Sequence, residues 1–100
     1  MDSLGIDDYK PLFLQTARKN LERIRDLLGH SSDDTYELYR LFHTVKGQSL
    51  FMGFKEIGEK ALQCEITLRS IIDRQQLLSA EQKNDLAKSV DFIFDQLKRI

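Results

Sequence analysis

The sequence predicts an all-α protein that folds as an antiparallel up-down four-helix bundle. Four stretches of the 100-residue chain repeat apolar residues at intervals of three and four, which is the spacing of one face of a helix. Residues that interrupt helices are few, because the chain has five glycines and one proline. The breaks between the stretches are short, so consecutive helices are expected to run antiparallel and pack on one another.

The first helix is predicted over residues 8–28. Asp7 or Asp8 is expected to cap its start, and Pro11 is acceptable within a first turn because the N–H that proline lacks has no partner there. Gly29 follows the last apolar position and is expected to be a C-cap glycine. The residues that share the predicted buried face are Phe13, Ala17, Leu21, Ile24 and Leu28.

The second helix is predicted over residues 33–52, with Gly53 after its end. Four consecutive polar residues can supply its N-cap. These candidates are Ser31, Ser32, Asp33 and Asp34. The predicted buried face consists of Leu38, Phe42, Val45, Ser49 and Met52, with Leu41 at its margin.

The third helix is predicted over residues 55–74, and the fourth is predicted to open at Ser79. Gly58 lies near the start of the third helix, where its propensity cost of about 1 kcal/mol does least damage. Ser79 and Gln82 have the spacing of a capping box. The buried face of the third helix should consist of Ile57, Ala61, Cys64, Leu68 and Ile71. That of the fourth should consist of Leu86, Val90, Ile93 and Leu97, with Phe94 beside it.

The composition argues against several classes of function. Fifteen basic and sixteen acidic residues leave a formal net charge of −1, without the basic excess of a nucleic-acid-binding protein. The single cysteine, Cys64, rules out an internal disulfide and fits a reducing compartment. The N-terminal sequence has no apolar export signal, and no apolar run approaches the roughly 20 residues that cross a bilayer. We therefore expect a cytoplasmic protein, and a monomer, that contacts neither nucleic acid nor a membrane.

The most informative stretch surrounds His43 in the second helix. At 100° per residue, His43 lies roughly 140° and Gly47 roughly 180° from the centre of the buried face, so both point outward. Lys46 lies roughly 80° from that centre, and Lys46 and Gly47 both follow His43 by one turn. A glycine inside a helix costs about 1 kcal/mol relative to alanine, which suggests that a partner must approach the imidazole closely. Lys46 adds a charge suited to a phosphoryl group. Together the three residues predict phosphohistidine chemistry.

Glu65 is the predicted partner of the histidine ring. When one ring nitrogen attacks phosphorus, the other carries the proton and needs an acceptor. Glu65 follows Cys64 at the edge of the third helix's buried face. Counted from the turn near Gly53, His43 is ten residues back and Glu65 twelve residues forward, so an antiparallel hairpin places them at similar height. The alternative, that Glu65 is an ordinary surface carboxylate, stays open at this point.

This stretch resembles the signature of histidine-containing phosphotransfer (HPt) domains. In that pattern, histidine, any residue, a hydrophobic residue, lysine and glycine are followed by small residues, a hydrophobic residue and glycine. The residues that fill it are His43, Val45, Lys46, Gly47, Ser49, Met52 and Gly53. Two further stretches are similar to the N-terminal phosphotransfer domain of chemotaxis histidine kinases. One is Met52, Gly53, Phe54, Ile57, Ala61, Leu62 and Glu65, and the other is Tyr9, Lys10, Pro11, Leu12, Phe13, Leu14, Ala17 and Leu21.

The resemblance implies a single HPt domain over residues 1–100, in which His43 is phosphorylated, Lys46 assists and Glu65 holds the imidazole. The donor would be a histidine kinase or a receiver aspartate, and the acceptor would be the aspartate of a response-regulator receiver domain. The chain would be a phosphoryl carrier, with transferase activity only as part of a larger kinase. Two alternatives remain. One is a helical docking module that is not phosphorylated, and the other is an excised N-terminal domain of a chemotaxis-type histidine kinase.

Several residues on the His43 face are candidate partner contacts. They are Tyr36, Tyr39, Gly47 and Leu50. Ordinary edge packing is an equal alternative for the two tyrosines and Leu50. Leu50 and Phe51 also depart from the family pattern, which usually has small or polar residues there. Leu62 stands where chemotaxis kinases often have a second histidine.

The remaining polar residues give no case for other chemistry. His30, in the first loop, is expected to be an ordinary solvated side chain. It is far from His43 in the sequence, and neither histidine has carboxylates at metal-ligand spacing. No metal site and no cofactor are therefore predicted.

Overall fold

The computed structural model describes residues 6–30 and 34–100 and shows four α-helices in that part of the chain. The helices are α1 (Ile6–Gly29), α2 (Thr35–Phe51), α3 (Lys55–Asp73) and α4 (Ala80–Lys98). Each helix packs against two others in the order α1, α2, α3, α4 and back to α1, whereas diagonally opposite helices do not approach closely. The predicted antiparallel up-down four-helix bundle is confirmed. Within the described ranges, no helix has the length and apolar character that spanning a bilayer requires.

The predicted buried faces form the core of the bundle. Every residue predicted for the buried faces of the second, third and fourth helices is less than a tenth exposed. In α1 the prediction of Leu28 was wrong, because Leu27 is buried instead. Leu28 borders an open surface depression between α1 and α4 and is only partly covered. Burial of each large apolar side chain contributes about 1.5–3 kcal/mol, so this shared core decides which face of each helix is left for function.

The four helices begin within two residues of the predicted starts. Ser79 caps α4 as predicted: its hydroxyl accepts from the backbone N–H of Gln82, and the Gln82 side chain accepts from the backbone N–H of Ser79. Asp34 is the N-cap residue of α2, although its side chain makes no capping hydrogen bond. The other candidates for that cap, Ser31, Ser32 and Asp33, lie outside the described residues.

The start of α1 lies earlier than predicted. Because α1 already includes Ile6, Asp7 and Asp8 lie within its first turn rather than at its N-cap. Asp8, as an acidic residue in the first turn, still interacts favourably with the positive end of the helix dipole. Pro11 then falls in the second turn, where the missing N–H leaves one carbonyl of the preceding turn without its usual donor.

The connection between α2 and α3 is a tight turn built on Gly53. Gly53 has a φ of +83°, which glycine adopts without strain. Its N–H bonds to the carbonyl of Leu50, and the N–H of Phe54 bonds to the carbonyl of Ser49, as in a Schellman motif. The same pair of bonds ends α3, where Gln75 takes the left-handed position with a φ of 54°. The first of these turns brings α3 back alongside α2 in a defined register.

Candidate functional site

His43 stands on the outer face of α2, beside the groove between α2 and α3. Its neighbours Phe42 and Val45 are fully buried and fix the rotation of the helix. The His43 side chain is 58% exposed, and its Nδ1 lies 2.6 Å from Oε1 of Glu65 on α3. The structure therefore places the imidazole outward, as predicted. One ring nitrogen is engaged by the protein, and the ring remains open to solvent.

Glu65 reaches the histidine from a nearly buried position. Its side chain is only 9% exposed, although it carries a carboxylate. It follows the core residue Cys64 on α3, and the turn at Gly53 gives the register that brings it level with His43. The predicted contact is present, and the alternative of an ordinary surface carboxylate is ruled out by this burial.

Lys46 pairs with the same carboxylate on its other oxygen. Its Nζ lies 2.7 Å from Oε2 of Glu65, and its side chain is 21% exposed. The distance defines an ion pair, but the angle is outside the range of a hydrogen bond, so Oε2 has no well-aligned donor among the described residues. Nζ is also 3.4 Å from Nδ1 of His43. When Nδ1 carries a proton, both of these nitrogens are donors, so the contact between them is proximity alone.

Opposing influences act on the ionisation of Glu65. Burial raises the pKa of its carboxyl group, while the contacts and charges of Lys46 and His43 lower it. The second influence prevails, and the pKa of Glu65 lies below its ordinary value. Glu65 is therefore a carboxylate at neutral pH, and a carboxylate can only accept hydrogen bonds.

The carboxylate selects the form of the imidazole. A neutral imidazole carries one proton, and the acceptor Oε1 at 2.6 Å favours the tautomer in which that proton is on Nδ1. Nε2 then has a free lone pair, on the side of the ring away from Glu65. In this tautomer Nε2, rather than Nδ1, is the nitrogen that can act as a nucleophile.

Gly47 leaves open space one turn beyond the histidine. A Cβ atom built at Gly47 would meet nothing within 4 Å, so the glycine is not required by packing inside the domain. It borders an apolar surface depression of about 320 Å³ between α1 and α2. Two exposed apolar residues, Leu12 and Phe51, flank this depression. On the Gly47 side of His43, the surface is therefore apolar and has no protruding side chain at residue 47.

Leu50 has an additional packing role that the sequence did not reveal. It is half-exposed at 46%, but its side chain lies across α3 at Gly58. A Cβ at Gly58 would be 2.4 Å from Cδ2 and 2.6 Å from Cγ of Leu50. Gly58 is thus the position that lets the bulky Leu50 fit between the helices. A contribution of Leu50 to partner binding stays a prediction.

The two tyrosines differ in their surroundings. Tyr36 is 64% exposed, whereas Tyr39 is partly buried against the core. The Tyr39 ring is stacked on His43, with ring centroids 6.1 Å apart and an interplanar angle of 22°. Arg69 of α3 covers Tyr39, with its Cζ 5.9 Å from the ring centroid. Arg69 was missed from the sequence, although its position four residues after Glu65 places it on the same face of α3.

The remaining titratable groups add no second site. Among the residues that the structure describes, no cluster of His, Cys, Asp and Glu could hold a metal ion. Cys64 is buried, and burial raises the pKa of its thiol. His30 is exposed and lies 3.8 Å from the carboxylate of Asp26.

Comparison with known proteins agrees with this geometry. The family model of the Hpt domain matches residues 8–98. The chain belongs to the Hpt family. The Hpt chain is also similar in structure to the CheA phosphotransferase domain from Thermotoga maritima, with a TM-score of 0.83, 19% sequence identity and 97% of each chain covered. None of the curated proteins gives a significant match.

The family and the fold predicted from the sequence are therefore confirmed. At 19% identity the structural likeness shows a shared helical bundle. Membership in the Hpt family makes the chain a phosphotransfer module, a type of domain that works with histidine kinases and receiver domains. The individual roles of His43, Lys46 and Glu65 stay predictions.

Proposed function

We propose that this Hpt domain carries a phosphoryl group on Nε2 of His43. The group comes from a histidine kinase or a receiver aspartate and passes to the aspartate of a response-regulator receiver domain. The observation that carries the proposal is the 2.6 Å contact between Nδ1 and Oε1 of Glu65, because it leaves Nε2 as the unprotonated nitrogen of a side chain that is 58% exposed. That the 100 residues form a single domain, and that it acts as a cytoplasmic monomer, are further parts of the proposal.

Glu65 supports the transfer step through its charge. Attack by Nε2 forms the N–P bond and expels the donor's leaving group, while Nδ1 keeps its proton. The ring therefore gains positive charge as the bond forms. A carboxylate already in contact with Nδ1–H stabilises that charge. Its hydrogen bond to the ring is stronger in the transition state, where the ring is positive, than in the ground state, where the ring is neutral.

Lys46 supports the same step in two ways. Its ion pair with Glu65 counteracts the burial of the carboxylate and keeps it ionised while the imidazole is still neutral. Its ammonium group also lies close to the ring, so it adds positive potential where a phosphoryl group arrives. A neutral residue of similar length, as in Lys46→Met, should slow the transfer without removing the phosphorylated atom.

Labelling with a histidine kinase and radiolabelled ATP tests the accepting half of the proposal. We expect label that is stable in base and lost in acid, as for an N–P bond. His43→Gln should abolish it, and His30→Gln, the matched control on an exposed histidine, should not. Label that persists in His43→Gln would remove His43 from this role.

The donating half needs a separate experiment. Phosphorylated protein is purified away from the kinase and mixed with a purified receiver domain. Label should move to the receiver and should stay on this chain when the receiver's acceptor aspartate is replaced by asparagine. Label that never leaves the chain with any receiver tested would contradict the role of a relay.

A docking module without phosphorylation is the second candidate function. The exposed apolar residues near the site, Leu12, Phe51 and Ile66, favour it. It predicts that the chain binds a receiver equally well before and after His43→Gln and takes no label from a kinase. If the chain is instead an excised N-terminal domain of a chemotaxis-type kinase, the chemistry would be the same. The phosphoryl group would then come from the kinase domain of the same protein.

A further inference from the structure

Tyr39 and Gly47 make the two sides of the His43 ring unequal. They lie four residues before and four residues after the histidine, so both are its neighbours along the helix surface. On the side towards the start of α2, the Tyr39 ring stacks on the imidazole at 6.1 Å. On the other side, Gly47 offers no side chain, and a Cβ there would meet nothing. Helical side chains lean towards the N-terminus of their helix, which directs the imidazole towards Tyr39.

The hydrogen bond to Glu65 does not by itself hold the imidazole plane. The χ2 torsion of histidine joins an sp³ and an sp² atom, so its energy wells are broad. The ring of His43 is more than half exposed and, apart from Glu65, is contacted mainly along the helix. A flat neighbour against the ring restricts rotation about χ2, and with it the direction of Nε2.

Tyr39 is itself held in place from α3. The guanidinium of Arg69 lies over the Tyr39 ring, and its Nε lies 3.2 Å from Oδ1 of Asp73. Interaction with the Tyr39 side chain, followed by the charge of Asp73, raises the pKa of Arg69. Tyr39, Arg69, Glu65 and Lys46 also line one surface depression between α2 and α3, so these contacts are part of one continuous surface.

We infer that Tyr39 is a positioning residue for phosphoryl transfer: its ring supports the His43 imidazole from the N-terminal side of α2 and keeps Nε2 directed to solvent. The inference rests on the proposed phosphorylation of His43. The donor then approaches over the bare backbone of Gly47, on the side that Tyr39 leaves open. An aromatic pair at this spacing could instead serve helix stability alone, and that alternative predicts no effect on the reactivity of the folded protein.

A small phosphodonor separates positioning from partner docking. Potassium phosphoramidate transfers its phosphoryl group to imidazole: the Nε2–P bond forms, the donor's P–N bond breaks, and ammonia leaves. Because this donor is small, a change in rate reports on the imidazole and not on lost contacts with a protein partner. The experiment uses the full chain carrying His30→Gln, so that label reports on His43.

Three variants distinguish the outcomes. Tyr39→Leu removes the flat surface but keeps apolar bulk. We expect it to lower the second-order rate constant of labelling about 3- to 10-fold, because the imidazole is still present but is less well oriented. Tyr39→Phe keeps the ring and should stay within about twofold of the parent rate. Phe92→Leu, at an exposed phenylalanine of α4, is the matched control and should also stay within about twofold.

A spectroscopic readout excludes a purely structural effect. The ¹⁵N NMR shifts of the His43 ring report the fraction of the Nδ1–H tautomer, and that fraction should fall in Tyr39→Leu and be restored in Tyr39→Phe. Circular dichroism checks that each variant is folded at the assay temperature. A folded Tyr39→Leu with parent rate and tautomer would overturn the inference, as would an equal loss of rate in Phe92→Leu. A parent protein that takes no label on His43 would overturn the proposed function itself, and the inference with it.

Discussion

Replacing Glu65 by glutamine tests whether the buried carboxylate acts through its charge. Glutamine has nearly the same shape, and its amide oxygen can still accept from Nδ1 of His43 at the observed 2.6 Å. What the substitution removes is the negative charge opposite a ring that becomes positive as phosphorus is attacked. Glu65→Gln therefore removes the charge while keeping an acceptor for Nδ1, and it also replaces Oε2, the oxygen that pairs with Lys46, by an amide NH2.

The expected loss follows from the strength of such contacts. Hydrogen bonds to charged groups contribute about 1.5–3 kcal/mol, against about 0.5–1.5 kcal/mol for neutral pairs. The difference of about 1–1.5 kcal/mol corresponds to a rate lower by about 5- to 13-fold. Because the Glu65 side chain is only 9% exposed, solvent screens this interaction weakly. The loss should therefore persist at high salt.

The assay measures phosphorylation of His43 at saturating kinase and ATP, followed by the same measurement with phosphoramidate. Glu59→Gln is the control, because Glu59 is an exposed glutamate on the same helix and its removal changes the net charge equally. Both variants are first checked for folding by urea denaturation. Labelling of Glu65→Gln at the parent rate, in a folded protein, would refute the claim that the charge of Glu65 supports transfer.

Three further predictions concern stability. Gly47→Ala should raise the thermal midpoint by about 4–8 °C, because alanine is about 1 kcal/mol better in a helix and the added Cβ meets nothing; a lower midpoint in a calorimetric scan would contradict this. Gly58→Ala should raise the thermal midpoint by a similar amount in a Leu50→Ala background. When Leu50 is present the substitution should give no such increase, because the added Cβ would lie 2.4 Å from Cδ2 of Leu50. A double-mutant cycle that shows no coupling between the two positions would refute the packing assignment. Glu65 has a lower pKa in the folded protein than its ordinary pKa of 4.5, which applies to the unfolded chain. Its contribution to the free energy of unfolding should therefore be complete above pH 4.5 and be lost as pH falls through the folded pKa. The free energies of unfolding of parent and Glu65→Gln, measured by urea titration, should accordingly converge as pH falls below the folded pKa of Glu65, and a difference that grows on acidification would have the wrong sign.

The buried faces of the helices could be predicted because periodicity reports burial directly. Apolar spacing identified the core positions of the last three helices, and it placed His43 outward because Phe42 and Val45 point in. The height of Glu65 opposite His43 followed from counting residues across a single short turn. Such a count works only where the connection is tight, and here Gly53 makes it so.

Features that depend on the distance between helices and on the shape of the facing surfaces could not be predicted. The fit of Leu50 against Gly58 requires the distance between α2 and α3, which periodicity does not contain. Leu28 was misplaced because two adjacent leucines satisfy the same helical spacing, and the neighbouring surface of α4 decides which is covered. Arg69 was missed because a charged residue on an outer helix face looks like any solvated side chain. The spacing of four between Tyr39 and His43, however, was a signal that could have revealed their stacking.

The turn at Gly53 has a consequence for how the domain folds and how it unfolds locally. The imidazole of His43 and the carboxylate of Glu65 are separated by only 22 residues, and both belong to the same two-helix hairpin. Closing so short a stretch costs little chain entropy, so this arrangement can assemble before the chain ends have docked. Fraying of α4 at the C-terminus should then reduce stability while the chemistry stays intact.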